Sequence, residues 1–302
     1  MSYTRIIVNP AAGAGKTAQK WPAIRALLQS RGLRFEYRLT EAPGHAVELA
    51  REAAKDGHES LVCVGGDGTV HEVVNGWYHP GNGAGMTLGI IPTGTGGDYA
   101  RTLGLSRRYE DACCRLFQPR KLAVDIGVVE YGQGDKTARR CFVNFAGAGI
   151  DAEIVRRTSR RYKLLGGTGS YLAGLLSALV AYRNRDVTLT VDGETLAQRA
   201  CAVIVNNGRY GGGGMRTAPE ADPADGSLDV LVIGDLTKPD LLCSLPRIYR
   251  GTHLTHPKVT MLRGQEVTLT AEPPLPLQAD GELLGRTPAR FSLVPGALSV
   301  LV

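Results

Sequence analysis

Short apolar runs alternate with amphipathic stretches through the first third of the chain. The strands read are Arg5–Val8, Phe35–Leu39, Leu61–Val64 and Leu88–Ile91. The continuous apolar runs Leu61–Val64 and Leu88–Ile91 predict strands buried on both faces. Between them, Ala18–Arg31, His45–Asp56 (closed by Gly57) and Val70–Gly76 read as helices, and a further helix starts near Tyr99. This rhythm predicts a parallel, doubly wound sheet that takes its ligand at the carboxyl ends of the strands.

The texture changes near Leu122. Strands then dominate: Ala123–Val129, Arg140–Phe145, Val187–Val191, Ala200–Val205, Leu228–Ile233, Lys258–Met261, Glu266–Thr270 and Leu275–Ala279. Helical patterning interrupts them over Ile150–Arg183 and again over Pro239–Arg250. The fold class is therefore α/β: a doubly wound domain over 1–122 and a β-rich, sandwich-like domain over 123–290. The apolar segment 291–302 can pack on either domain, and a return to the first is one of the two options.

Composition sharpens this in two places. The 302 residues are 43% hydrophobic, which excludes a disordered chain. They include 39 glycines, nearly double the usual ~7% share, so the loops carry an unusual burden. The net charge of +6 permits an anionic partner without choosing one. No aromatic platform is interleaved with the basic residues, so nucleic acid is not expected. The six cysteines form no C-x-x-C pair, and Cys63, Cys141 and Cys201 lie in apolar runs as small core residues. A reducing, cytoplasmic setting follows. MSYTRIIVNP has no signal-peptide layout, and Tyr171–Tyr182 is too short an apolar stretch to span a bilayer.

The glycines cluster in three loops, each directly after a strand. Asn9-Pro-Ala-Ala-Gly-Ala-Gly-Lys-Thr17 looks like a P-loop but has Pro10 where the pattern needs glycine. It can still wrap phosphate through Gly13, Gly15 and the helix start that follows, with Lys16 adding charge; the bland reading is an ordinary strand–helix turn. Gly65-Gly-Asp-Gly-Thr69 is more specific. Its glycines allow close phosphate approach, Asp67 suits Mg²⁺, and Thr69 offers a hydroxyl. Pro92-Thr-Gly-Thr-Gly-Gly-Asp98 repeats the arrangement, with Thr93 and Thr95 as donors, Asp98 as the helix N-cap and Arg101 one turn inside. Two acidic clusters lie further on. Asp222-Pro-Ala-Asp225-Gly-Ser227 can hold a hard cation or simply form a turn. Asp280-Gly-Glu282 offers a general base or an exposed hairpin tip.

Taken together these segments resemble the lipid kinases that carry the diacylglycerol-kinase catalytic domain, a family that extends to sphingosine and ceramide kinases. The motifs run in order along nearly the whole chain: NPAAG at Asn9–Gly13, GGDGTVHEVVNG at Gly65–Gly76, PTGTGGDYAR at Pro92–Arg101, DIG at Asp125–Gly127, FVNFAGAGIDA at Phe142–Ala152, NNGRYGGGG at Asn206–Gly214, APEADPADGSLDV at Ala218–Val230 and DGE at Asp280–Glu282. The resemblance implies a nucleotide-binding α/β domain, like that of NAD kinase and diacylglycerol kinase, beside a C-terminal β-sandwich, with the active site between them. It implies ATP contacts at Asn9, Pro10, Ala11, Ala12, Gly13, Thr40, Gly66, Asp67, Gly68, Thr69, Val70, His71, Glu72 and Thr95. It also implies a base at Glu282 and structural Mg²⁺ at Asp222, Asp225 and the backbone of Ser227. Where the family often reads G-T-x-N-D, this chain has Gly97, which removes a side-chain amide. His71 is expected on the solvent face of its helix.

The expected reaction passes the γ-phosphate of ATP to a lipid hydroxyl, most simply that of diacylglycerol. Asp67 orients Mg²⁺, Arg101 and Lys16 neutralise charge, and Glu282 or Asp280 takes the proton. Another lipid alcohol such as a sphingoid base, an NAD kinase-like activity and a non-catalytic binding protein are the alternatives. A lipid acceptor implies contact with a membrane surface. Arg156, Arg157, Arg160, Arg161 and Lys163, just before Tyr171–Tyr182, offer either such a surface or a solvated helix. A second copy of the chain is the remaining candidate partner.

Overall fold

A computed structural model of the chain describes residues 3–78, 87–117, 120–134, 136–161, 177 and 182–302. They divide into two compact units: the chain up to Asp125 together with Pro295–Val302, and Ile126–Val294.

The first unit is built from β1 (Thr4–Val8), α1 (Lys16–Ser30), β2 (Phe35–Leu39), α2 (His45–Lys55), β3 (Ser60–Gly65), α3 (Asp67–Trp77), β4 (Thr87–Pro92), α4 (Asp98–Thr102) and α5 (Tyr109–Arg115). The strands pair in parallel in the order β4-β3-β1-β2. Leu61, Cys63, Val64, Leu88 and Ile91 are fully buried, as expected of strands covered on both faces. In α1, Trp21, Ile24 and Leu28 recur at helical spacing and face the sheet, where Trp21 packs against Phe35 and Tyr37. Helices α2 and α3 touch backbone to backbone. A Cβ at Gly76 would lie under 3.0 Å from the carbonyl of Val47, so only glycine fits there.

Two helices begin earlier than their apolar patterns suggest. The left-handed φ of Gly15 lets α1 start at Lys16. Helix α3 starts at Asp67 rather than Val70, so Asp67, Gly68 and Thr69 form its first turn and the connecting loop is Gly66 alone.

The second unit holds β5 (Lys121–Gln133, shared with the first), β6 (Lys136–Phe142), β7 (Phe145–Gly149), α6 (Ile150–Arg161), β8 (Arg185–Val191), β9 (Glu194–Asn206), β10 (Leu228–Gly234), α7 (Lys238–Arg250), β11 (Val259–Gly264), β12 (Glu266–Glu272), β13 (Pro276–Ala279) and the greater part of β14 (Glu282–Leu301). Its strands pair antiparallel. The pairings close on themselves through β7, β9, β8, β12, β14 and β13. This is possible because β9 is long: Glu194–Ala200 pairs with β8, and Ala202–Asn206 pairs with β7. Phe142, Leu189, Leu269, Leu277 and Phe291 fill the space enclosed.

The end of the chain groups with the first unit. It is the continuation of a twenty-residue strand, β14, running from Glu282 through Pro288 and Pro295. Within the first unit its last residues pair in parallel with β4, Ser299 opposite Thr87 and Val300 opposite Leu88. The amide of Gly296 donates to Asp125 Oδ1 at 2.7 Å and anchors the segment. The helical stretch expected over Ile150–Arg183 is described as α6; Lys163 and most of Tyr171–Tyr182 lie outside the described residues.

Candidate active site

In the first unit, two glycine-rich turns lie side by side because β3 and β4 are neighbours, with Gly65 opposite Pro92. The amides of Thr93 and Gly94 both donate to the carbonyl of Gly65, at 2.8 and 3.1 Å. Gly66 and Gly94 then meet backbone to backbone. A Cβ on Gly94 would lie under 3.0 Å from Gly66 Cα. Asp67 completes the join. Its Oδ2 accepts from the amide of Gly97 at 2.7 Å and its Oδ1 from that of Tyr99 at 3.0 Å. Asp67 therefore caps α4, the role the sequence suggested for Asp98. Asp98 is instead buried inside the first turn, paired with Arg101 at 2.5 Å.

The first loop is tied to the same structure. Asn9 Nδ2 donates to Thr69 Oγ1 at 3.0 Å, and Asn9 Oδ1 accepts from the amide of Ala11 at 3.1 Å. The hydroxyls of Thr17 and Thr93 are 2.6 Å apart. Gly13 has φ +63°, and a Cβ there would lie 2.5 Å from the carbonyl oxygen of Thr93. Three loops from distant parts of the sequence thus form one rigid rim. Lys16, Gly68 and Thr95 stand exposed on it. The leading amides of α3 have no intrahelical acceptor, as at any helix start, and suit an anion.

The other residues expected to contact nucleotide are placed as follows. The Glu72 carboxylate accepts from the amides of Gly44 and Ala46, at 3.0 and 3.1 Å, and caps α2. His71 is 2% exposed, not solvent-facing. Val70 is buried beside it, and Thr40 is buried with its amide on the carbonyl of Val8 at 2.9 Å. Arg101 also donates to the carbonyl of Gly96 at 3.3 Å, so its guanidinium braces the loop. Pro10 and Ala12 are half-buried and Ala11 is exposed. Arg107 was not legible in the sequence. It donates to the carbonyls of Gly94 and Thr95, at 3.3 and 2.9 Å. It also explains Gly97: φ there is +64°, and a Cβ would come to 3.3 Å from Arg107 Nε. Arg107 lies where a side chain at 97 would project.

In the second unit the D-G-E turn divides its two carboxylates. Asp280 turns inward at φ +46°. It accepts from the amides of Val143, Asn144 and Phe145, at 2.7, 3.0 and 3.0 Å. It is an anchor for the 143–145 segment rather than an open base. Glu282 is nearly half exposed and pairs with Arg140. Behind the turn, Gln278 is buried. It accepts from the amide of Gly281 at 2.9 Å and donates to Asp151 Oδ2 at 3.1 Å. Asp151 sits in the first turn of α6 with Oδ1 buried and unpaired, and burial pushes its carboxyl up to about 6. Arg140, Gln278 and Asp151 had no sequence signal beyond lying in or near matched motifs.

The expected cation turn is partly closed by its own groups. Asp222 Oδ1 accepts from the amide of Ala224 at 3.1 Å, and Asp225 Oδ1 from that of Ser227 at 3.0 Å. Arg263 pairs with Asp225 Oδ2 and also eases the burial of Asp229. The donors are all oxygen, as a hard dication requires, and Arg263 competes with a cation for Asp225. Within the basic run, Arg156 and Arg157 both bind Glu153 on their own helix, which neutralises part of their charge.

The chain matches two family models: the diacylglycerol kinase catalytic domain over residues 4–129, and the YegS C-terminal NAD kinase beta sandwich-like domain over 144–302. It is 28% identical to the diacylglycerol kinase of Staphylococcus carnosus, over 95% of this chain and 90% of that one. It is likewise 28% identical to the diacylglycerol kinase of Bacillus subtilis, over 96% and 93%. A crystal structure of a diacylglycerol kinase from Bacillus anthracis shares the fold with a TM-score of 0.72 at 23% identity, covering 99% of this chain and 96% of that one. With both halves matched, the chain belongs to the diacylglycerol kinase family and is a lipid kinase.

Proposed function

We propose that this lipid kinase transfers the γ-phosphate of ATP to the free hydroxyl of diacylglycerol, giving phosphatidic acid. The observation that carries the ATP part is the seam between the two glycine turns. Asp67, the Gly66–Gly94 contact and Arg107 hold backbone amides and a helix start in one rim, without side chains in the way. A triphosphate needs that kind of surface. Phosphoryl transfer is mostly positioning and charge neutralisation, so a rigid rim suits it.

Mg²⁺ fits beside Asp67, because each of its oxygens accepts a single backbone amide and a carboxylate has further acceptor sites. When bound there it would neutralise phosphate charge. Lys16 stands exposed at the start of α1 and adds positive charge for the phosphates. Glu282 is the proposed base: it is accessible, whereas Asp280 already spends both oxygens on backbone amides. Asp280, Gln278 and Asp151 position the turn. The choice of diacylglycerol is supported by the relatives that bear that name.

The test is a panel of acceptors with labelled ATP: diacylglycerol, a sphingoid base, ceramide and NAD⁺. Diacylglycerol should be the preferred acceptor, and Glu282→Gln should abolish turnover with ATP affinity retained. Preferential labelling of another acceptor overturns the substrate assignment. Wild-type kcat in Glu282→Gln overturns the base.

A further inference from the structure

Helix α7 is apolar on two faces. Leu241 and Leu245 turn inward, onto a cluster that includes Ile150, Cys201 and Leu231. Pro239, Leu242, Cys243, Pro246 and Tyr249 recur at helical spacing and are all exposed. No residue of the helix is buried. Among the described residues the exposed large apolar side chains are Tyr3, Leu39, Leu242 and Tyr249, so half of them lie on this one helix, at 45% and 46% exposure. An amphipathic surface helix normally keeps charges on its outward face.

The stripe is held rigidly. Thr237 and Asp240 form a reciprocal capping box at one end, and Gly251 ends the helix in the left-handed region. Asp240 is the one acidic residue of the helix, and its carboxylate is engaged in that cap. Lys238, Arg247 and Arg250 give the rest of the helix a positive rim. At its N-terminal end opens a cavity of about 200 Å³ lined in part by Arg183, Arg199 and Lys238.

Charge decides what covers this face. Two copies meeting through it about a two-fold axis would bring the basic residues of one, Lys238, Arg247 and Arg250, toward those of the other. A thirteen-residue helix is also small beside the ~1,200 Å² of a stable interface. An apolar stripe with a basic rim fits a bilayer that carries anionic headgroups. No described helix is long and apolar enough to cross a membrane.

We propose that α7 is the membrane-docking element, laying Leu242 and Tyr249 into the interface of an anionic bilayer with Arg247 and Arg250 among the headgroups. The proposal rests on the lipid-acceptor reading above. The test is co-sedimentation with phosphatidylcholine vesicles, with and without phosphatidylglycerol. The wild type should bind the anionic vesicles more tightly. Leu242→Asp with Tyr249→Asp should abolish binding. Arg247→Glu with Arg250→Glu should weaken it at least tenfold, from about fivefold per basic residue. Circular dichroism should show both variants folded, so that lost binding is not lost structure.

Activity on a water-soluble, short-chain diacylglycerol should be equal in the wild type and both variants. Failure of the wild type on every lipid acceptor counts against the kinase reading, whereas vesicle binding reports on α7 alone. Binding that survives both double substitutions overturns the proposal. So does a dimer, seen by sedimentation velocity, that the Leu242 and Tyr249 changes dissociate while vesicle binding persists.

Discussion

Gly94→Ala and Gly68→Ala should have opposite effects on stability, although both glycines sit in the glycine-rich rim. The Cβ of an alanine at 94 would lie under 3.0 Å from Gly66 Cα, where ordinary contact is 3.4–4 Å. The obstacle is backbone, so no rotamer relieves it. The two turns must separate, straining the Asp67 bonds to Gly97 and Tyr99 as well. Overpacking of this kind costs about 1–3 kcal/mol. At 68, within the first turn of α3, an added Cβ meets nothing within 4 Å and φ is not left-handed. Alanine there should gain about 0.5–1 kcal/mol of helix propensity. Urea unfolding of both variants with the wild type gives the comparison, and a fluorescent ATP analogue reports the rim. Gly94→Ala should unfold at lower urea and bind nucleotide more weakly. Wild-type stability in Gly94→Ala, or equal destabilisation in the two variants, would show that the Gly66–Gly94 contact does not hold the rim together.

Three further outcomes follow from the carboxylates. Asp280→Asn should lower stability by about 1–3 kcal/mol, since three backbone amides lose a charged acceptor, whereas Glu282→Gln should leave it within about 1 kcal/mol; thermal melts check both. Asp151 is raised by burial from the ordinary 3.8 to about 6, so the folded state binds the extra proton. Its stabilising contribution is present below about 4 and is lost as pH rises through about 6. Asp151→Asn should therefore gain on the wild type by about 2 kcal/mol between pH 4 and 7, and a difference that does not vary with pH refutes this. Finally, Arg263→Ala should enlarge the rise in melting temperature caused by Mg²⁺, and Asp225→Ala should remove it. Equal responses in all three proteins exclude a cation at that turn.

Much of the fold was legible because it is local. The runs Leu61–Val64 and Leu88–Ile91 are buried strands on patterning alone, and glycines directly after them mark where the chain turns toward a ligand. The carboxylates were not legible in the same way. Asp67, Glu72 and Asp280 sit in motifs that suggest ligand or catalytic roles, yet each accepts amides from residues distant in the chain. No local pattern marks such a cap, because the acceptor and its donors meet only after the elements pack. His71 misled for a related reason: its burial follows from how the elements pack, which a local pattern does not mark. Strand β14 was hidden by Pro288 and Pro295, since proline argues against a paired strand.

That strand also bears on how the molecule is made. Opposite β3, the first residues of β4 pair in parallel with Ser299–Val300, roughly two hundred residues later, which is a contact of very high sequence separation. A ribosome therefore releases the first unit with one side of an apolar, fully buried strand still open. The whole second unit must be synthesised before residues 295–302 arrive to cover it. During that interval the nascent chain carries an aggregation-prone edge, and truncations just before Pro295 would leave the exposure permanent.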